Sequence, residues 1–229
     1  MISSHLRALG RSLLALGIVL LLATGCAAPK PATPNPGRPV DVYLIPLEDF
    51  SFDFTADLAQ SLGRELGLRI VPTVPMGLAS VTPFPGTSQF SGEDIMDLAL
   101  LATPNFPTQR TNTAYVVLTQ HDLNMQNRAL HFVFSAHNRQ HRIAIVSSAR
   151  LALGIAGGRA TDETIRARVR KMVKRSIGDV FFGYPRSTNI RDLMYSPIMS
   201  LTDVDRMGDD FLPQNATPEP AAAGAMVTP

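Results

Sequence analysis

Five histidines and one cysteine are the side chains of this 229-residue chain best suited to metal or nucleophilic chemistry, and their placement is restrictive. Hydrolysis by a helix-borne zinc ion needs two imidazoles one turn apart with a carboxylate base beside the first, the pattern H-E-x-x-H. No histidine here is followed by glutamate, and none lies beyond His141. His137 and His141 are four apart, but the polar run His137-Asn138-Arg139-Gln140 joins two apolar segments. They are therefore expected as solvated turn residues, not as ligands on one helix face. His121-Asp122 could form an imidazole–carboxylate pair. Gly154-x-x-Gly157-Gly158 precedes a helix, as a phosphate cradle would, but the Gly-Lys-Ser/Thr ending is missing and a flexible loop is expected. No G-x-S-x-G elbow is present for a serine nucleophile.

The element that would carry ligands is a helix from about Thr161 to Phe182. At 100° per residue, Ile165, Val169, Met172, Val173, Ile177 and Val180 share one side. Arg166, Arg168, Arg170, Lys171, Lys174 and Arg175 occupy the remainder. Arg175 and Asp179, four apart, sit at the margin of the apolar stripe, where groups looking into a cleft would sit. Arg166, Arg170 and Lys174 form a basic stripe that is expected as a solvated face. The rival expectation is a site for anionic lipid or envelope polymer.

Upstream, Val40–Ile45 is expected as a strand and Phe54–Leu66 as a helix stopped by Gly67. Leu68–Val71 starts a second strand, and Pro72–Gly86 is a Pro- and Gly-rich loop. Ser91-Gly92-Glu93-Asp94 opens another helix with a capping-box-like start. Ala114–Thr119 is a buried strand. His131–Phe134 and Arg142–Val146 pair across the polar turn as an edge hairpin. The order β-α-β-α-β-β-β-α predicts one α/β (α+β) domain with a mixed sheet and packed helices over residues 40–213.

The ends differ from this body. Residues 1–25 have the form of an export signal, with Arg7 and Arg11 before the apolar run Ser12–Leu22. Leu22-Ala23-Thr24-Gly25-Cys26 resembles a bacterial lipobox, which implies a lipoprotein acylated (palmitate class) on Cys26. Cys26 is the single cysteine, so no disulfide within the chain can form. Acyl chains at ~0.8 kcal/mol per buried methylene would give a durable membrane anchor. Ala27 after the cysteine favours the outer membrane over inner-membrane retention. Residues 26–39 form a Pro-rich extended spacer, and 214–229 a tail expected to be disordered. The formal charge of the whole chain is +2. Loss of Arg7 and Arg11 with the signal brings 21 basic groups to 19 against 19 acidic ones. A formal charge of zero argues against nucleic acid as a partner.

Four segments of the body, in order, resemble the archaemetzincins, a family of zinc metallopeptidases. Thr87-Ser88-Gln89-Phe90 is similar to the family's Arg-x-Gln-Tyr. Leu118–Leu123 followed by Phe132-Val133-Phe134 resembles its strand, Asp-Leu loop and Phe-Val-Phe strand, so Asp122 is expected to structure a loop. Val146-Ser147-Ser148-Ala149-Arg150-Leu151 resembles Val-Ser-x-x-Arg-Leu. Asp192-Leu193-Met194-Tyr195-Ser196 and Ser200-Leu201-Thr202-Asp203-Val204-Asp205-Arg206 resemble the Met-containing turn and the Ser-x-x-Asp-Val-Asp-Arg stretch after it. The resemblance implies a metzincin-like fold.

The departures fall on the chemistry. Against H-E-x-x-H-x-x-G-x-x-H-C, Arg175 falls on the first His, Ser176 on the Glu and Asp179 on the second His. The third His falls near Pro185 and the cysteine near Arg186, and matching Gly183 instead shifts the register by one. The second zinc site's cysteines are absent too. Zinc, the family's cofactor, is therefore not expected, and no catalytic or metal-binding residue is assigned. Met194 matches the turn methionine and is expected to pack in the core. An Arg175–Asp179 ion pair is expected where the metal bridge would be, contributing about 0.3–0.5 kcal/mol if exposed.

The expected protein is thus an inactive archaemetzincin-like lipoprotein of the cell envelope. It is held by its lipid, facing the periplasm, and acts as a binding or structural module whose partner is an extended peptide or an envelope protein. The rival expectations are a zinc peptidase with unusual ligands drawn from Asp179, His121 or His137, and anionic binding through the basic helix.

Overall fold

The computed structural model describes residues 38–127 and 130–213. Their elements run β1 (Val42–Pro46), α1 (Phe52–Leu66), β2 (Ile70–Pro72), β3 (Gln89–Ser91), α2 (Gly92–Ala102), a 3-10 turn (Thr103–Asn105), β4 (Ala114–Thr119), β5 (Asp122–Asn124), β6 (Ser135–Asn138), β7 (Ile143–Ser147), α3 (Asp162–Val180) and α4 (Leu201–Arg206). The expected export signal, acylated Cys26, most of the spacer and the tail lie outside the described residues.

The main sheet has the order β2-β1-β4-β7-β6. Its first four strands are parallel, and β6 joins antiparallel as an edge. This is the mixed sheet expected. β1, β4 and β7 are buried at every position because helices cover both faces. Strand alternation then divides the core. Val42, Leu44, Val116, Leu118, Ala144 and Val146 pack with α1 and α3. Tyr43, Ile45, Tyr115, Val117, Ile143 and Ile145 pack with Ile95, Met96 and Ala99 of α2.

Local chemistry sets the helix ends. Ser51, Ser91 and Thr161 each accept a backbone N–H in the first turn of α1, α2 and α3. Gly67 ends α1 in the left-handed conformation at φ 67°, which costs a glycine nothing.

One expected boundary is wrong, and it matters for the site. The edge strand is Ser135–Asn138, not His131–Phe134, and Val133 makes only an isolated bridge to Leu123. Asn138 explains the shift. Its side-chain oxygen accepts the N–H of His141, so the tight turn begins after His137 rather than at it. His137 is consequently a strand residue facing inward, and only His141 stays in the exposed turn.

A small parallel pair, β3 with β5, was not foreseen. It is held by side chains. Arg150 makes a two-pronged ion pair with Asp122 at 2.9 and 2.5 Å, and Gln89 donates to the same carboxylate at 3.2 Å. Asp122 therefore pairs with Arg150 and not with His121, whose ring lies 3.5 Å from Asp49 and packs at a tilt against Phe90. The stretch after the methionine turn is structural too. Ser200 caps α4 and bonds Asp203, while Asp205 grips the buried Arg168 at 2.6 and 2.7 Å.

Candidate functional site

α3 presents Met172, Arg175, Ser176 and Asp179 toward the edge strand and the segment beyond residue 184. Gly178 allows this close fit. A methyl group there would lie 2.5 Å from the Phe211 ring and 3.0 Å from Sδ of Met194. Met194 is fully buried beneath the helix. Between α3, the edge strand and the 198–199 segment lies a half-open cleft of about 390 Å³. Phe132, Phe134, Met172, Ile198 and Met199 give it apolar walls, and His131, Ser135, His137 and Arg175 supply its polar groups.

Asp179, 1 % exposed, is the hub of the polar cluster. Arg139, from the turn after β6, bonds one of its carboxylate oxygens, and Arg186 bonds the other. Arg139 also reaches the carbonyl of Tyr184 at 2.7 Å. The expected Arg175–Asp179 pair is not formed. Instead Arg175 donates from one Nη to the Tyr195 carbonyl at 3.1 Å, and its Nε is buried with no hydrogen-bond partner. Arg139 and Arg186 approach Asp179 from outside the helix and take one oxygen each, while Arg175 turns to the Tyr195 carbonyl.

Burial alone would raise the Asp179 carboxyl. The positive charge around it, from His137 when protonated and from Arg186 and Arg139, outweighs this and holds it below the usual carboxylate range. His137 behaves oppositely. Burial, helped by Arg186, Arg175 and Arg139 against the opposing pull of Asp179, lowers its imidazole to about 3. It is neutral at physiological pH. Burial and then the nearby Arg186 lower Arg175 to about 9, still cationic at neutral pH, with Asp179 working the other way.

Ser176, His137 and Asp179 superficially form a nucleophile–base–acid row. Nε2 of His137 lies 3.0 Å from Oγ of Ser176, and Nδ1 lies 3.9 Å from Asp179. The surroundings argue against that chemistry. Arg186 faces Nδ1 at 3.4 Å and both oxygens of Asp179 are bonded by guanidinium groups, so Asp179 is not free to orient the imidazole as the third member of such a row. Ser176 is also fully buried within the helix.

The donor set does not fit zinc either. Both oxygens of Asp179 are engaged by guanidinium groups, Nε2 of His137 is engaged by Ser176, and Arg175 repels a dication. Among the described residues no three His, Cys, Asp or Glu side chains converge. His121 lies with Asp49 and Phe90, so its nearest partners are not those of His137 or Asp179.

The expected basic stripe is likewise not a row of free charges. Lys174 is 3 % exposed and bonds Glu65 at 2.5 Å and Asp210 at 2.6 Å. Arg170 pairs with the same Glu65, and Arg166 lies over Phe54 near Asp57. α1 and the 209–211 segment supply the carboxylates, a tertiary arrangement that a helical wheel does not contain. The helical wheel also put Arg168, Lys174 and Arg175 on its polar side, and all three are buried.

Sequence reasoning missed Arg139 and Arg186 as partners of Asp179, and it placed His137 in an exposed turn, naming it beside Asp179 only in the rival peptidase reading. A signal existed for Arg186: with the register set on Gly183, it falls on the third ligand position. Nothing comparable marked Arg139, whose role depends on the hairpin folding back over α3.

No family profile matches this chain, and no curated protein sequence does. Solved structures do. A zinc-dependent peptidase from Methanocorpusculum labreanum superposes with a TM-score of 0.63 at 20 % identity, covering 76 % of this chain and 96 % of that one. An archaemetzincin from Archaeoglobus fulgidus, complexed with malonate, gives 0.60 at 22 %, covering 76 % and 97 %. Another, from Methanopyrus kandleri, gives 0.58 at 19 %, covering 80 % and 94 %. At these identities the likeness is one of fold.

Proposed function

Taking the archaemetzincin fold as the starting point, we propose that this chain is a non-catalytic binding module, tethered to a bacterial membrane through lipid on Cys26. The observation that carries the first half is the state of Asp179. The one acidic side chain of the cluster is bonded at one oxygen by Arg139 and at the other by Arg186. This speaks against a metal-bound water there and against Asp179 as the base that would deprotonate it.

What remains useful is the cleft itself. β6 has a sheet neighbour on one side only, and its Ser135 and His137 line the cleft. An extended segment of an envelope protein can add to such an edge through backbone hydrogen bonds while its side chains fill the apolar walls. The anchor rests on Leu22-Ala23-Thr24-Gly25-Cys26, and the proline-rich residues up to Pro39 serve as a spacer. The proposed location is the periplasmic face of the outer membrane.

The test uses the full chain purified in detergent. Elemental analysis is expected to find far less than one zinc per chain, and a peptide library is expected to remain uncut with or without chelator. Stoichiometric zinc, or cleavage that a chelator stops, favours the rival reading of a peptidase with unusual ligands. For the anchor, labelled palmitate is expected in the wild-type chain and not in Cys26→Ser. Equal labelling of both removes the lipid from the proposal.

A further inference from the structure

The site that replaces the zinc carries unbalanced positive charge. Arg139, Arg175 and Arg186 face a single carboxylate, Asp179, and His137 is neutral, so the cluster holds three positive charges against one negative. Arg139 and Arg186 are served by Asp179. Arg175 is not: it is 5 % exposed, its Nε lacks a hydrogen-bond partner, and one Nη bonds the neutral carbonyl of Tyr195. A guanidinium this deeply buried with no carboxylate bonded to it is costly, and an entering anion lowers that cost. The same side chain lines the cleft.

The rest of the cleft says what kind of anion. Its walls are apolar, and Leu130 and Met199, both lining it, remain 48 % and 65 % exposed. A small inorganic anion would leave those surfaces wet. An anion carrying an apolar body covers them. The free edge of β6 beside it favours a body with a backbone to pair.

We propose that the cleft binds the free C-terminal carboxylate of a peptide with an apolar last residue, and that Arg175 is its counter-ion. This rests on the peptide-cleft reading above and narrows it. Arg175 stands where the resemblance puts a zinc ligand, so a position that would hold a metal cation here holds a fixed one. The planar guanidinium suits a carboxylate through paired N–H donors.

The experiment measures fluorescence anisotropy of a dye-labelled Ala- and Leu-containing hexapeptide ending in Phe, against the full chain in detergent. The peptide is made with a free carboxylate or with a terminal amide. Binding of the acid at least about tenfold tighter than the amide supports the proposal. Arg175→Met should abolish the difference by weakening the acid alone, and Arg175→Lys should retain part of it. Acid and amide binding equally well overturns the carboxylate assignment while leaving the peptide cleft standing. Binding of neither overturns both. Hexanoate displacing the peptide at equal concentration overturns the peptide as occupant in favour of a small carboxylic acid. Should Arg175→Met fail to fold, the acid-to-amide ratio of the wild-type chain decides.

Discussion

Nε2 of His137, on the edge strand, lies 3.0 Å from Oγ of Ser176, on α3. The contact ties the sheet edge to the helix at the position registered on the catalytic base. It also leaves a neutral imidazole next to three arginines and one carboxylate. The cleft floor is therefore an electrostatic structure in its own right, and its parts have distinct expected behaviours.

Asp179 should be the most sensitive of them. Asp179→Ala leaves Arg139 and Arg186 without their shared carboxylate beside Arg175. Breaking a buried pair in this way costs about 3–5 kcal/mol. The low end is expected because Arg139 and Arg186 are 45 % and 36 % exposed. Urea denaturation measures it, and a midpoint equal to wild type contradicts the hub role. Arg139→Ala should cost less, since Arg186 still serves the carboxylate.

His137 gives the fold a pH dependence of known sign. Its folded value, about 3, is below the ordinary 6.5, so the unfolded chain binds the proton more readily. The stability is fully present above 6.5 and is lost as pH falls toward 3. Across that window this one group adds a slope of about 1.4 kcal/mol per pH unit. Subtracting the denaturation profile of His137→Gln from that of wild type isolates it. Parallel profiles from pH 7 to pH 4 show that the imidazole is not held neutral.

Gly178→Ala tests the fit of the helix over the methionine turn. The added methyl meets the Phe211 ring at 2.5 Å and Met194 at 3.0 Å. Overpacking of this kind costs about 1–3 kcal/mol. Combined with Phe211→Ala, the glycine substitution should cost measurably less than alone, which a double-mutant thermal melt reads. Additive losses place the clash elsewhere.

Asp122→Ala removes the shared acceptor of Arg150 and Gln89. A loss of about 1.5–3 kcal/mol is expected for hydrogen bonds to a charged group. Hydrogen exchange should quicken at Leu123 and Asn124 of β5 before it does at β4. Uniform change across the sheet, or none, argues that the small strand pair does not depend on this carboxylate.

Gln89, Asp122, Arg150, Asp203 and Asp205 matched the family pattern in the sequence. In the structure each holds two segments together or caps a helix. Arg175, Ser176 and Asp179 departed from it, and they sit at the cleft. The scaffold was legible because its cues are local or periodic: buried strands, capped helices and a glycine stop. The edge strand was displaced because one asparagine started the turn later than composition alone suggested.

From the order of residues alone came the mixed sheet with its covering helices, the blunted ligand positions and the expectation of a lipid-bearing Cys26. Only tertiary structure decided that Asp179 answers to Arg139 and Arg186, and that Arg175 is left facing the cleft. The physical reason is that charge pairing between distant segments depends on which side chain reaches the carboxylate first in three dimensions. Arg175, four residues away on the same helix, is near Asp179 in sequence. Arg139 and Arg186, 40 and 7 residues away, arrive from the hairpin and from the chain beyond α3.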